Sequence, residues 1–182
     1  MKHSVRFLLG LVIAALAANL CGTARADAPA TFDVSGFTFT RPASWEWVEV
    51  TTPMRKAQLR VKSADGKETA DVVFFQFGPG AAGGVQANVE RWFRQFSEPR
   101  DKINAKTEDA TVNGHKVTYA QAEGTYQSGM PGGAQTPMPE YALLGAIIES
   151  DSGNIFVKMT GPKALVKSAT PDFKKMVESG LK

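Results

Sequence analysis

Three glycine-bearing turn signals, Asp65-Gly66, Asn113-Gly114 and Asp151-Ser152-Gly153, each stand between two apolar stretches of strand length. Such short turns supply the left-handed backbone that a tight hairpin needs, and so impose antiparallel pairing on their flanks. Before Asp65, Ala57, Leu59 and Val61 alternate with Lys56, Gln58, Arg60 and Lys62, the pattern of a strand with one solvated face. The return arm, Val72 to Phe77, is apolar on both faces and belongs in the interior of a sheet. Around Asn113-Gly114 and Asp151-Ser152-Gly153 the same logic pairs "TVNGHKVTYAQAEGTY" with itself and "YALLGAIIES" with "NIFVKMTG". Phe37 and Phe39, and then Trp45 and Trp47, mark two further short strands on either side of Pro42.

Two segments change period. Val85, Val89, Trp92, Phe93 and Phe96 recur at spacings of three and four, which predicts an amphipathic helix packed on the sheet. Near the C-terminus Thr170 reads as a helix cap, Pro171 as a first helical residue, Phe173, Met176 and Val177 as the apolar stripe, and Gly180 as the end. The polar run "EPRDKINAKTEDA" reads as a loop or crossing connection. No repeat or long linker divides the chain. The expected class is α+β, one antiparallel sheet of about six to seven strands flanked by helices in a single domain over residues 27–182.

Residues 1–26 are read as a cleaved secretory signal: Lys2 and Arg6 precede a 14-residue run from Phe7 to Leu20 that is apolar but for Asn19, and Ala24-Arg25-Ala26 forms an A-x-A site. The apolar run is short of the roughly 20 residues that span a bilayer, so no transmembrane segment is expected after processing. Cys21, the only cysteine, follows Leu20 rather than a small residue, which disfavours lipidation. The expected location is periplasmic or secreted. Of 21 Lys and Arg, three (Lys2, Arg6, Arg25) fall in the signal, leaving 18 against 18 Asp and Glu in the mature chain. A neutral domain without a basic block lacks the phosphate-neutralising footprint of a nucleic-acid binder.

Gly78, Gly80 and Gly83 spell G-x-G-x-x-G between a strand and a helix. A dinucleotide site would need a parallel strand–helix–strand unit with an acidic residue about 20 residues on. Here the next apolar strand comes only around Val117, as a hairpin arm, and Pro79 removes an N–H from the loop. The glycines are read as a flexible entry into the helix.

Chemistry-bearing residues are sparse. His115 directly follows the Asn113-Gly114 turn and has no second histidine in the mature chain to complete a triad or metal pair. No serine lies in a G-x-S-x-G elbow, and the acids at Glu108-Asp109 and Glu149 to Asp151 flank turns. "ESDSGN" lacks the ligand alternation of a calcium loop. No catalytic residue, cofactor or metal is assigned from the sequence.

The most unusual stretch is "YQSGMPGGAQTPMPEY", residues 126–141, read as a long loop between two strands. Tyr126 and Tyr141 offer rigid amphipathic surface, Met130 and Met138 adaptable surface, and Pro131, Pro137 and Pro139 restrict the chain. These four tyrosine and methionine residues are the candidate partner-binding set. The thioethers alone make a poor copper site without a histidine or third methionine nearby.

The order of strand pairs, a crossing helix, further antiparallel strands and a closing helix resembles the PsbP-like fold. That fold is shared by the extrinsic photosystem II subunit, the DcrB lipoproteins and a Ran-binding import factor. The opening "FTFTRPASW" is similar to that group's entry, with Phe39, Pro42 and Trp45 at its aromatic, proline and tryptophan positions. The resemblance spans about residues 32 to 181. It implies an α/β/α sandwich that binds or stabilises protein assemblies and has no known catalytic centre; no family binding residue is matched in this chain. The leading expectation is an exported non-catalytic accessory protein acting on an envelope protein. A small-ligand-binding periplasmic protein is the alternative, with its cleft between the 126–141 segment and the sheet, and an uncharacterised hydrolase comes third.

Overall fold

The computed structural model describes residues 29–129 and 133–182. The signal segment with Cys21, and Met130, therefore lie outside the described residues. A small hairpin of β1 (Thr31–Val34) and β2 (Phe37–Thr40) comes first. The main sheet contains β3 (Glu46–Trp47), β4 (Arg55–Lys62), β5 (Thr69–Gln76), β6 (Lys106–Val112), β7 (His115–Gly129), β8 (Gln135–Ile148) and β9 (Ile155–Pro162). Two helices, α1 (Val85–Phe93) and α2 (Lys163–Ser179), complete the chain. The sheet runs β3-β4-β5-β9-β8-β7-β6, every pair antiparallel.

All three turn signals close hairpins. β4 pairs with β5, β6 with β7 through Val112↔His115, and β8 with β9 through Ile148↔Ile155. The doubly apolar β5 lies inside the sheet between β4 and β9, and each of its faces joins a different core. Val72 and Phe74 meet Phe39, Val157 and the α2 residues Val166, Phe173 and Met176 on one face. Phe75 joins Val89, Trp92, Phe93, Leu143, Ile147 and Phe156 under α1 on the other. The result is a helix–sheet–helix sandwich, with β1–β2 lying on the α2 side. Phe39, Phe74 and Phe173 are fully buried, each contributing about 1.5–3 kcal/mol of transfer free energy.

Helix α1 approaches the sheet closely at one point. A Cβ on Gly145 would lie 2.2 Å from Cζ3 of Trp92, so only glycine leaves room for the indole there.

The structure differs from the sequence reading at three places. Helix α2 begins at Lys163, and Pro171 lies in its interior. Leu165, Val166 and Ala169 extend the buried stripe upstream, and their burial outweighs the roughly 3 kcal/mol that an interior proline costs. Thr170 is not a cap: its hydroxyl donates to the Val166 carbonyl at 3.0 Å. The polar run after Pro99 contains a short 3-10 turn, Arg100–Lys102, and then β6. As an edge strand with mostly exposed residues, β6 carries no apolar period to read. Finally, the 126–141 stretch is mostly strand, because β7 runs on to Gly129 and β8 starts at Gln135.

Candidate functional site

The long β7–β8 hairpin outruns its neighbours. β9 pairs with β8 only between Tyr141↔Pro162 and Ile148↔Ile155, whereas β7 and β8 stay paired through Tyr126↔Met138, Gln127↔Pro137, Ser128↔Thr136 and Gly129↔Gln135. These last rungs form an arm beyond the sheet. Its root is a bulge, where pairing shifts between Gly124 and Tyr126. The bulge holds Gly124 at φ 154 and, on the opposite strand, Glu140 at φ 54, a left-handed conformation that side-chain-bearing residues rarely adopt. Gln135, Thr136, Pro137, Pro139 and Glu140 are exposed. Pro137 and Pro139 have no N–H to offer along the outer edge, which protects it from indiscriminate strand pairing.

The arm is strapped to the body by the segment after α1. Ser97 donates its backbone N–H to the Thr125 carbonyl at 2.9 Å, Gln127 donates to that of Gln95 at 2.7 Å, and Phe96 bridges Tyr126. The Glu98 carboxylate accepts the Thr125 N–H with both oxygens at 2.9 Å. Hydrogen bonding from Thr125, side chain first and then backbone, lowers the Glu98 carboxyl below its usual range. Gln127 also donates through its side-chain amide to the Ser97 hydroxyl.

Beneath the strap lies a lysine that pairs with no carboxylate among the described residues. Lys158, at the centre of β9, donates from Nζ to the Tyr126 hydroxyl and to Gln95 Oε1, both at 3.0 Å, and its ammonium lies 5.5 Å from the Tyr126 ring centroid. Burial, and secondarily the charge of Arg55, lowers its pKa to about 8. Arg55 donates to the side-chain oxygen of Gln58, itself buried in β4. Burial also raises the Tyr126 hydroxyl above its ordinary value. Lys158 is the functional-looking residue that the sequence reading missed, although a lone lysine inside "NIFVKMTG" was its visible signal.

The four candidate binding residues thus have distinct places. Tyr126 is 8% exposed and edge-on to Phe96 at 5.6 Å, facing the α1 side of the core. Met138, its cross-strand partner, and Tyr141, opposite Gly124, are half-buried against the same core. Met130 falls outside the described residues. The glycine loop, residues 78–84, is organised from within: buried Asn88 of α1 donates to the carbonyls of Ala82 and Gly84, both at 2.9 Å, and its Oδ1 accepts from Arg91 at 2.6 Å. The loop therefore directs carbonyls at a side chain of its own helix. His115 opens β7 with its ring 5.3 Å from that of Phe37. Among the described residues no three His, Cys, Asp or Glu side chains gather as a metal site. No helix among them is long and apolar enough to cross a membrane.

No protein-family model matches the chain, and no curated protein sequence matches it either. Solved structures do. The solution structure of CyanoP, the cyanobacterial PsbP of Synechocystis sp. PCC 6803, superposes with a TM-score of 0.50 over 87% of this chain and 96% of that one, at 13% identity. The fold is PsbP-like. PA94, a protein of unknown function from Pseudomonas aeruginosa, gives a TM-score of 0.45 over 81% of this chain and 92% of its own, at 14% identity. At such identities the likeness to CyanoP concerns architecture alone, the α/β/α sandwich expected from the element order.

Proposed function

We propose that this chain is an exported, non-catalytic accessory domain that docks on a protein of the cell envelope through its β7–β8 arm. The observation that carries this reading is the continuation of β7 and β8 past the end of β9, from Tyr126↔Met138 to Gly129↔Gln135. Beyond Tyr126 and Met138, which pack on the α1-side core, these rungs join neither core, yet their direction is set by a left-handed Glu140 and by the Glu98 strap. Backbone strain retained at an exposed position is a reason to look for function there. In this reading Tyr126 holds the arm from inside, while Met130, Met138 and Tyr141 supply adaptable and amphipathic contact surface. The prolines leave side chains rather than a bare strand edge to make the contact.

The test compares three tagged mature proteins crosslinked in their own envelope. They are wild type, a variant with residues 128–136 replaced by Asn-Gly, and the Met130→Ser, Met138→Ser, Tyr141→Ser triple variant. A reproducible partner captured by wild type and lost from both variants, each with unchanged circular dichroism, is the expected outcome. Capture that survives trimming of the arm would place docking elsewhere and defeat the proposal.

A further inference from the structure

A groove of about 800 Å³ lies on the opposite side of the sheet from α1, between β7–β8 and the first half of α2. Leu144 and Val166 are among its apolar lining, and Lys106, Lys163, Lys167 and Glu123 stand around it. The volume falls in the range of small-molecule sites, which combine apolar walls with a few convergent polar groups.

The charge arrangement is unfavourable for the protein alone. Lys163 and Lys167 are four residues apart on α2, so they share a face and repel. They also occupy the first part of a helix with no acidic residue in its first turn, where a positive charge opposes the helix dipole. Lys106 approaches from the strand side, on the β6 residue paired with Gln121. Against three lysines stands one carboxylate. Glu123 pairs with Lys163 at 3.1 Å and accepts from Asn104 Nδ2 at 2.6 Å. Neither Lys106 nor Lys167 has a carboxylate within ion-pair distance among the described residues. An incoming anion would relieve the repulsion around Lys167, and an apolar body attached to it would lie against exposed Pro171 and the lysine stems, above the almost fully buried Leu144 and Val166.

We infer that this groove is a binding site for an anionic amphiphile, its carboxylate or phosphate head held between Lys106 and Lys167 and its apolar body on the groove floor. The site is independent of the β7–β8 arm and stands or falls separately from it. Hydrogen bonding from Asn104 and the nearby charges of Lys163 and Lys167 keep Glu123 ionised, so it limits the positive field and orients the head away from its own side of the groove.

Calorimetric titration of the mature protein with decanoate tests the site, with inorganic phosphate as an anion lacking an apolar body. Saturable decanoate binding at least tenfold tighter than phosphate is expected. It should weaken about tenfold or more in Lys106→Gln/Lys167→Gln but not in Lys56→Gln/Lys175→Gln, which removes equal charge elsewhere. Glu123→Gln should tighten it severalfold. Sedimentation with phosphatidylglycerol and with phosphatidylcholine vesicles separates sources: Lys106- and Lys167-dependent binding to the anionic vesicles alone indicates a bilayer-borne head group, and binding of free decanoate alone a soluble ligand. No decanoate or vesicle binding, or equal loss in both double-lysine variants, would overturn the inference.

Discussion

Lys158 Nζ lies 3.0 Å from the Tyr126 hydroxyl, joining the centre of the sheet to the root of the β7–β8 arm. Because burial lowers the Lys158 pKa to about 8, the fold disfavours its charged form. In the unfolded chain this lysine titrates near 10.4. Between those two values the unfolded state binds more protons, so this group makes stability rise with pH from about 8 to about 10. Below pH 8 its contribution is constant and unfavourable. The hydrogen bond itself survives deprotonation, since a neutral amine accepts the tyrosine proton. Urea unfolding of wild type and Lys158→Met at pH 7, 8.5 and 9.5 isolates the effect from other lysines: wild type should gain stability relative to the variant as pH rises. A constant difference would mean that Lys158 titrates as a solvated amine.

Gly145→Ala places a methyl group where Trp92 now rests, 2.2 Å from its Cζ3. The indole belongs to the α1-side core, and α1 would have to lift to make room. Overpacking of this kind costs about 1–3 kcal/mol, with the upper end expected because the clash sets a strand in the sheet's interior against a rigid ring of α1. Thermal or urea unfolding measures it, and Trp92 fluorescence should shift to the red as the ring gains access to water. Gly114→Ala would be a poor comparison, since Gly114 lies at φ 85 and suffers from backbone conformation instead. A loss smaller than about 0.5 kcal/mol in Gly145→Ala would show that α1 is held loosely.

Asn88→Ala tests what the glycine loop is for. The side-chain amide satisfies carbonyls of Ala82 and Gly84 at 2.9 Å in a position only 4% exposed. The Gly84 carbonyl keeps the backbone N–H of residue 88 at 3.2 Å, so the loss is that of two hydrogen bonds at about 0.5–1.5 kcal/mol each. Alanine is itself a better helix former, which offsets a few tenths. A net destabilisation of about 1–2 kcal/mol is expected, with amide exchange of residues 78–84 accelerated more than that of the sheet. No change in either measurement would remove the structural role given to the G-x-G-x-x-G run.

What the sequence made legible follows from which signals are local. Asn113-Gly114 and Asp65-Gly66 act within a few residues, and the hairpins they specify are present with the expected partners. The apolar period of Val89, Trp92 and Phe93 likewise needs only one helix to express it. The upstream part of β6, Lys106 to Ala110, was illegible because an edge strand draws its order from β7 rather than from its own residues. The start of α2 was obscured by Pro171, whose local preference was overridden by Val166 and Ala169 docking on the sheet. At the arm the residue types drew notice, but its shape depends on Glu98 and Lys158, which lie 27 residues before Thr125 and 32 after Tyr126. Partners so distant leave no pattern in a single sequence.

Glu98→Ala should loosen the arm while sparing the sandwich. The carboxylate is the acceptor for the Thr125 N–H at the bulge, and a Cβ on Gly124 would lie 2.8 Å from Glu98 Oε2, so the two residues are fitted to each other. Thr125 and Gln127 are also tied to the strap by the Ser97 and Gln95 backbone, which keeps the variant folded. Amide hydrogen exchange at Thr125, Gln127 and the residues beyond should therefore accelerate several-fold, while Val157 and Phe74 in the centre of the sheet remain protected. A pH effect accompanies it. Because the folded pKa of Glu98 is depressed, its contribution is present above the unfolded glutamate value near 4.3 and is lost as pH falls through the lower folded value. As pH falls below that unfolded value, wild-type arm exchange should move toward the variant's once intrinsic acid rates are corrected. Exchange in the variant identical to wild type at neutral pH would show that the backbone contacts of residues 95–97 alone position the arm.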